Sequence, residues 1–346
     1  MRLLHTSDLH LGQNFMGQSR HDEHAAFLDW VIEQVRGQDV DAVLVAGDVF
    51  DTGTPPSHAR ELYNRFIVAL RATGARLVVL AGNHDSPAML GESSQLLACL
   101  DTLVVPTLLQ APGQHVHLVP DRTGKPGMLL CAVPFIRARD VMRSQAGQSA
   151  EDKRGAMMEG IAAHYAAIHA AAVARRSALG IDLPIVASGH LTTVGASTTD
   201  AVRQIYVGSL SAFPTNAFPP ADYIALGHIH RPQKVGGHEH IRYCGSPIAL
   251  AFDEAGQQKQ VLLVEVDGNG LQSVTPLPVP TFRVLARVAS TLASLPAQLA
   301  AVASDIAEGA TGWVEVTVQV EDYLPDLPAR VTAMVVVSVF QKTVQD

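Results

Sequence analysis

An α/β fold, with helices packed on the outer faces of sheets, is what this sequence predicts, and two observations predict it. Short apolar runs alternate with longer segments of helical period, so strands and helices follow one another along the chain. Nearly every run then breaks at a glycine into an amide, an imidazole or a carboxylate, as in LVVLAGNHDSP (Leu77 to Pro87). In open α/β sheets the carboxyl ends of the strands are where ligands collect.

The elements follow in order. MRLLHT is a first strand running into Asp8-Leu9-His10, and Val40 to Ala46 is a second, ending in Gly47-Asp48. Between that run and the next, Leu62, Phe66 and Leu70 recur at i, i+4 and i+8, with Gly74 as the stop, which predicts a helix from Ser57. Leu77 to Ala81 is the third strand, delivering Gly82-Asn83-His84-Asp85. Leu183 to Ser188 runs into Gly189-His190, and Tyr223 to Leu226 into Gly227-His228-Ile229-His230. From Met128 onward the strand-like segments MLLCAVPF, HIRYCGSPIAL and QVLLVEVD are less regularly separated, predicting a second sheet packed on the first. After the Pro-rich stretch Thr275 to Phe282 the pattern restarts as a strand, a helix-like Leu292 to Ile306 and the alternating WVEVTVQV. A domain boundary is expected near residue 280, separating residues 1–280 from a smaller unit, 281–346.

Bulk properties narrow the class. The chain has 346 residues, 47% of them hydrophobic and 17% charged, with no low-complexity tract, so it reads as globular throughout. Its three cysteines form no CxxC pair and are too few for a disulfide framework, and no apolar leader precedes the polar residues of MRLLHTSDLH; both features predict a cytoplasmic protein. The most membrane-like segment, Ile161 to Gly180, carries two histidines and two arginines and suits an Ala-rich helix. A net charge of −8 argues against a broadly basic phosphate-tracking surface, yet leaves nucleic acid open, because bound divalent cations supply local positive charge.

Gathered at one sheet edge, Asp8, His10, Asp48, Asn83, His190, His228 and His230 are seven oxygen and nitrogen donors without a thiolate. That mixture suits Mn²⁺, Fe²⁺ or Zn²⁺ in a catalytic setting, and seven donors are too many for one open ion. Two metals are implied, about 3.5 to 4 Å apart, sharing one carboxylate and clamping a phosphorus under attack. Asp48 is the expected bridge. Any one of these motifs alone would be an ordinary turn; DxH, GDxxD, GNHD, GH and GHxH in succession are not. His21, His24, His58, His115, His117, His164, His169, His238 and His240 lack the strand-glycine context and are expected at the surface or in packing, while His5 lies within the first strand. Gly245-Ser246-Pro247 is expected as a turn near the same edge.

With these residues assembled, the sequence resembles the calcineurin-like metallophosphoesterase superfamily. HTSDLHLGQNF, VAGDVFDTGTPPS, LVVLAGNHDS, SGHLTTVGAS, FPPADYIALGHIHR and RYCGSPI carry the resemblance, and the words flanking the metal motifs point to its bacterial double-strand-break repair nucleases. The resemblance implies a four-layer α/β/β/α sandwich with a small α+β capping domain and two Mn²⁺ ions. One ion would take Asp8, His10, Asp48 and His230, the other Asp48, Asn83, His190 and His228. His84 matches the catalytic histidine, placed to serve the leaving 3′ oxygen, with Asp85 expected to orient its ring. Where the archaeal and eukaryotic branch has a second histidine after the GD motif, this chain has Asp51.

The implied activity is a metal-dependent DNA phosphodiesterase: a 3′–5′ exonuclease on duplex ends and an endonuclease on single strands or hairpins, partnered by a coiled-coil ATPase subunit. The same donor set also serves small-substrate phosphatases and phosphodiesterases. A non-catalytic scaffold would be expected to have lost some of the donors. The resemblance further implies a homodimer paired through the regions Ser57 to Leu70 and Pro87 to Leu100, whose apolar stripes include Leu62, Phe66, Leu96 and Leu97. Relatives continue into helices that dock on the ATPase, whereas this chain ends at a strand-like Met334 to Phe340 followed by QKTVQD, so ATPase docking is expected to be weak.

Overall fold

Runs of Val, Leu and Ala with no polar residue can be strands only where both faces are covered, and that is where they lie in the computed structural model, which describes residues 1–142, 149–197, 212–304, 306, 312–320 and 324–334. The first sheet has six strands in the order Gly270–Pro278, Gln260–Asp267, Arg2–Thr6, Ala42–Ala46, Arg76–Leu80 and Thr102–Val105. From Arg2–Thr6 to Thr102–Val105 the strands are parallel; Gln260–Asp267 joins Arg2–Thr6 antiparallel. The second sheet runs Gln233–Val235, His238–Tyr243, Tyr223–Gly227, Ile185–His190, Pro126–Cys131 and Val116–Pro120. Of the three late segments expected in a second sheet, two are there, and QVLLVEVD returns to the first sheet beside the amino-terminal strand.

The sheets face each other across a core that includes Leu3, Leu44 and Leu80 from the first and Leu130, Val186 and Ala225 from the second. The helices His21–Gly37 and Ser57–Arg71 cover the outer face of the first sheet, and Ala150–Leu179 covers that of the second. The layers are therefore α/β/β/α. Leu62, Phe66 and Leu70 are all buried in the first helical layer, each contributing about 2 kcal/mol of apolar burial. Leu97 is buried with them, so of the stripe expected at a dimer interface only Leu96, 67% exposed, remains free at the surface. No helix among the described residues is long and apolar enough to cross a membrane.

Beyond residue 280, Val284–Thr291 and Gly312–Gln319 pair in parallel, with the helix Leu295–Ser304 between them in sequence and a second helix, Leu327–Met334, packed beside it. They share a separate core of Val288, Leu295, Leu299, Val314, Val316 and Val331, among others. Met334, expected to open a strand, instead closes a helix; the rest of that expected strand lies outside the described residues.

His5 shows what burial between the sheets does to a titratable group. It is fully buried, its Nδ1 2.9 Å from the Tyr223 hydroxyl of the facing sheet. Burial, aided by the Arg242 charge and opposed by a bond to the Leu226 backbone, pushes its pKa down to about 3. The folded chain therefore resists a proton that the unfolded chain accepts near pH 6.5. The stabilisation is complete above that value and is lost as pH falls towards 3, with a slope of about 1.4 kcal/mol per pH unit for one proton. Thermal melts from pH 7 to pH 4.5 are expected to show a falling midpoint, and His5→Gln to flatten the fall; an unchanged slope would assign the acid sensitivity elsewhere.

Candidate metal centre

The glycines that end the strands are required sterically. A Cβ on Gly82 would overlap the Asp48 carboxylate, and one on Gly47, whose φ is +96°, would overlap the His190 imidazole. With those positions bare, strand ends of both sheets converge. Asp8, His10 and Asp48 have φ of 53°, 47° and 50°, left-handed conformations that cost on the order of 1–3 kcal/mol each in non-glycine residues and recur at functional sites. They aim three side chains inward that an extended backbone would splay apart.

All seven expected donors are brought together. Asp8, His10 and His230 form one group whose ligand atoms lie within 4.8 Å of one another, and Asp48, His190 and His228 form another. Asn83 joins the second, its Oδ1 3.0 Å from His190 Nε2 and 2.9 Å from His228 Nδ1. Asp48 touches both groups: its Oδ2 lies 3.7 Å from His10 Nε2 and 3.2 Å from His190 Nε2. The six charged or imidazole donors are at most 3% exposed, and Asn83 is half-buried.

The hydrogen bonds test whether these residues fit a cation. His190 Nδ1 faces the Ala46 carbonyl at 2.9 Å, which can only accept, so Nδ1 carries the proton. Its Nε2 lone pair is then turned on two further acceptors, Asn83 Oδ1 and Asp48 Oδ2. Acceptors facing acceptors in a buried site call for a positive charge among them. His10 repeats the pattern, with Nδ1 3.1 Å from Asp51 Oδ1 and Nε2 buried without a hydrogen-bond partner. In the metal-free protein, protons supply that charge. Burial opposes it, but the Asp48 carboxylate lifts His190 to about 9, and Asp51 with Asp48 lifts His10 to about 9. Asp48 itself is held far below the usual carboxylate range, the His190 and His10 charges outweighing its burial. The donors fit divalent cations.

His84 stands beside the first group, its ring centroid 4.7 Å from that of His10. Its backbone N–H donates to Asp48 Oδ1 at 2.9 Å and its Nδ1–H to the Asp51 carbonyl at 2.8 Å, leaving Nε2 without a hydrogen-bond partner. The expectation that Asp85 orients this ring is incorrect. The Asp85 carboxylate accepts the backbone N–H groups of Val49, Phe50 and Gly82, tying the two glycine junctions together, and burial with the nearby Asp48 charge raises its pKa to about 6. The orienting residue is Asp51, whose carboxylate meets His10 and whose carbonyl holds His84.

The sequence also left a second supporting group unseen. His230 Nδ1 lies 2.9 Å from Glu254 Oε1, and the other Glu254 oxygen accepts from Lys259 Nζ at 2.7 Å and from the Leu250 N–H at 3.0 Å. These partners outweigh burial and hold Glu254 at about 2. Ser246, in the turn expected near this edge, donates its N–H to the His230 carbonyl. Glu254 and Lys259 follow no strand-glycine junction, so nothing local distinguished them. Of the histidines expected at the surface or in packing, His24 and His115 are fully buried.

The model of the family described as calcineurin-like phosphoesterase matches residues 1–128. The SbcD subunit of the SbcCD nuclease from Escherichia coli K12 is 51% identical over 334 residues, covering 96% of this chain and 82% of that protein. The SbcD subunits of Rhodobacter capsulatus and Bacillus subtilis are 38% and 33% identical, covering 87% and 77% of this chain and 75% and 66% of their own lengths. With a relative at 51% identity along nearly its whole length, this chain belongs to the SbcD family of calcineurin-like metallophosphoesterases.

Proposed function

We propose that this chain is the nuclease subunit of an SbcCD-type complex. It is a metal-dependent DNA phosphodiesterase that works as a 3′–5′ exonuclease on duplex ends and as an endonuclease on single strands or hairpins. It acts in the cytoplasm with an SbcC-type ATPase, in DNA repair and recombination. The observation that carries the reading is the meeting of two donor groups at Asp48 beside a histidine whose Nε2 has no hydrogen-bond partner. Asp8, His10, Asp48 and His230 would hold one ion and Asp48, Asn83, His190 and His228 the other; the donors suit Mn²⁺, Fe²⁺ or Zn²⁺, and likeness to the SbcD family favours Mn²⁺. When bound, such a pair lowers the pKa of water and neutralises the charged phosphate oxygens.

The residues supply the rest. Asp48, shared between the groups, sets their separation. His84 keeps its Nδ1 proton on the Asp51 carbonyl, so Nε2 is the atom that would carry a proton to the leaving 3′ oxygen. Asp51 keeps that ring and the His10 ring in register. Turnover of linear duplex DNA, an aryl phosphodiester and an aryl phosphomonoester with Mn²⁺ tests the substrate class. DNA and the diester are expected to be cleaved; strong monoesterase activity without DNA cleavage would favour a small-substrate phosphatase.

The protein is proposed to pair with a second copy through the Ser57–Arg71 helix and the segment from Pro87. Val68, 60% exposed, lines a cleft with Tyr63, Met89, Leu90 and Leu97 on that face, and Leu96, the residue before Leu97, is 67% exposed. Sedimentation at micromolar concentration is expected to give a dimer, and Leu96→Glu with Val68→Glu a monomer. A wild-type monomer with full DNA cleavage would remove the pairing.

A further inference from the structure

Glu254 sits on a single helical turn, Phe252–Glu254, between the metal centre and the carboxyl-terminal unit. One end of the turn grips His230. The Nδ1 of His230 and Glu254 Oε1 are 2.9 Å apart, and a carboxylate accepts only, so the ring proton sits on Nδ1 and the Nε2 lone pair is free to bind. Lys259 braces the pair, donating to Glu254 Oε2 at 2.7 Å and to the His230 carbonyl at 3.1 Å.

The other end is held from beyond residue 280. Phe252 is buried against Leu285 and Trp313, the facing residues of the two carboxyl-terminal strands. Phe15 closes the cluster, its ring 5.0 Å from Phe252 and 5.5 Å from Trp313. Arg283 lies 4.5 Å over the Trp313 ring and pairs with Glu23, which also pairs with the buried Arg20. Arg20 in turn donates to the Ala249 carbonyl, three residues before Phe252.

We propose that Glu254 is a positioning residue that fixes the His230 tautomer, and that the carboxyl-terminal unit sets its position by seating Phe252 between Leu285 and Trp313. The proposal rests on the two-metal reading above and deepens it: occupancy of the His230 site depends on how that unit is docked. A glutamine at 254 offers one acceptor where His230 and Lys259 need two, so one of them must face the amide group.

Calorimetric titration of the full chain with Mn²⁺ tests this, comparing wild type with Glu254→Gln and Phe252→Leu. Wild type is expected to bind two ions. Each variant should weaken one of the two sites by about ten- to a hundredfold and leave the other nearly unchanged. Independently of any variant, ¹⁵N spectra of the metal-free wild-type chain, with His230 assigned by comparison with His230→Gln, should show the proton on Nδ1. Unchanged binding in both variants, an equal loss at both sites, or a proton on Nε2 would overturn the proposal while leaving the two-metal reading intact. A wild-type chain that binds no Mn²⁺ would overturn both.

Discussion

Asp48→Ala is expected to strip the protein of both divalent ions, whereas His190→Ala costs it one. The asymmetry follows from position. Asp48 Oδ2 lies 3.7 Å from His10 Nε2 and 3.2 Å from His190 Nε2, one imidazole in each donor group, while His190 belongs to one group only. Without Asp48, Asp8 is the one carboxylate left among the seven expected donors, and a divalent cation loses charge that offsets its desolvation. The variant also frees the His84 N–H, which donates to Asp48 Oδ1 at 2.9 Å. Metal analysis after gel filtration, with a thermal melt to confirm folding, is the measurement. Equal two-metal occupancy in the two variants would remove Asp48 from the bridging position.

His84→Ala should do the opposite: keep both ions and lose the reaction. His84 is outside both proposed ligand sets, and its side chain contributes an Nε2 that has no hydrogen-bond partner among the described residues. Removing a positioned proton donor costs typically a hundredfold to ten-thousandfold in rate. Single-turnover cleavage of an end-labelled duplex under saturating Mn²⁺ is expected to fall by about that much, with metal stoichiometry unchanged. A substrate whose leaving group departs as a stable anion, such as a nitrophenyl phosphodiester, needs no proton at the leaving atom and should be affected less. A variant that cleaves DNA at the wild-type rate would take His84 out of the mechanism.

The donors were legible because their signal is local. A strand that must be apolar on both faces and then turn sharply towards a ligand needs glycine followed by a donor, and four such junctions in one chain, with Asp8-Leu9-His10 after a fifth run, mark one edge. The layers were legible for a related reason, since helical period and apolar runs report which faces are covered. What could not be read is whatever depends on partners far apart in sequence. Asp51 shows no periodicity that announces a carbonyl bound to His84, and Glu254 meets His230 only because the chain between them turns back through Ser246. Proximity in sequence misled for Asp85, whose carboxylate faces away from its neighbour His84 to take up three backbone N–H groups. The stripe of Leu62, Phe66 and Leu97 could equally have served a core or an interface; burial places it in the core.

A two-ion site ties cleavage to a defined metal stoichiometry. The purified chain, freed of metal by chelation and dialysis, is titrated with Mn²⁺ while cleavage of a linear duplex is followed. No cleavage is expected without metal, and activity should return and level off at about two equivalents per chain. Cleavage that persists in the metal-free protein, or that saturates at one equivalent, would contradict a two-ion site.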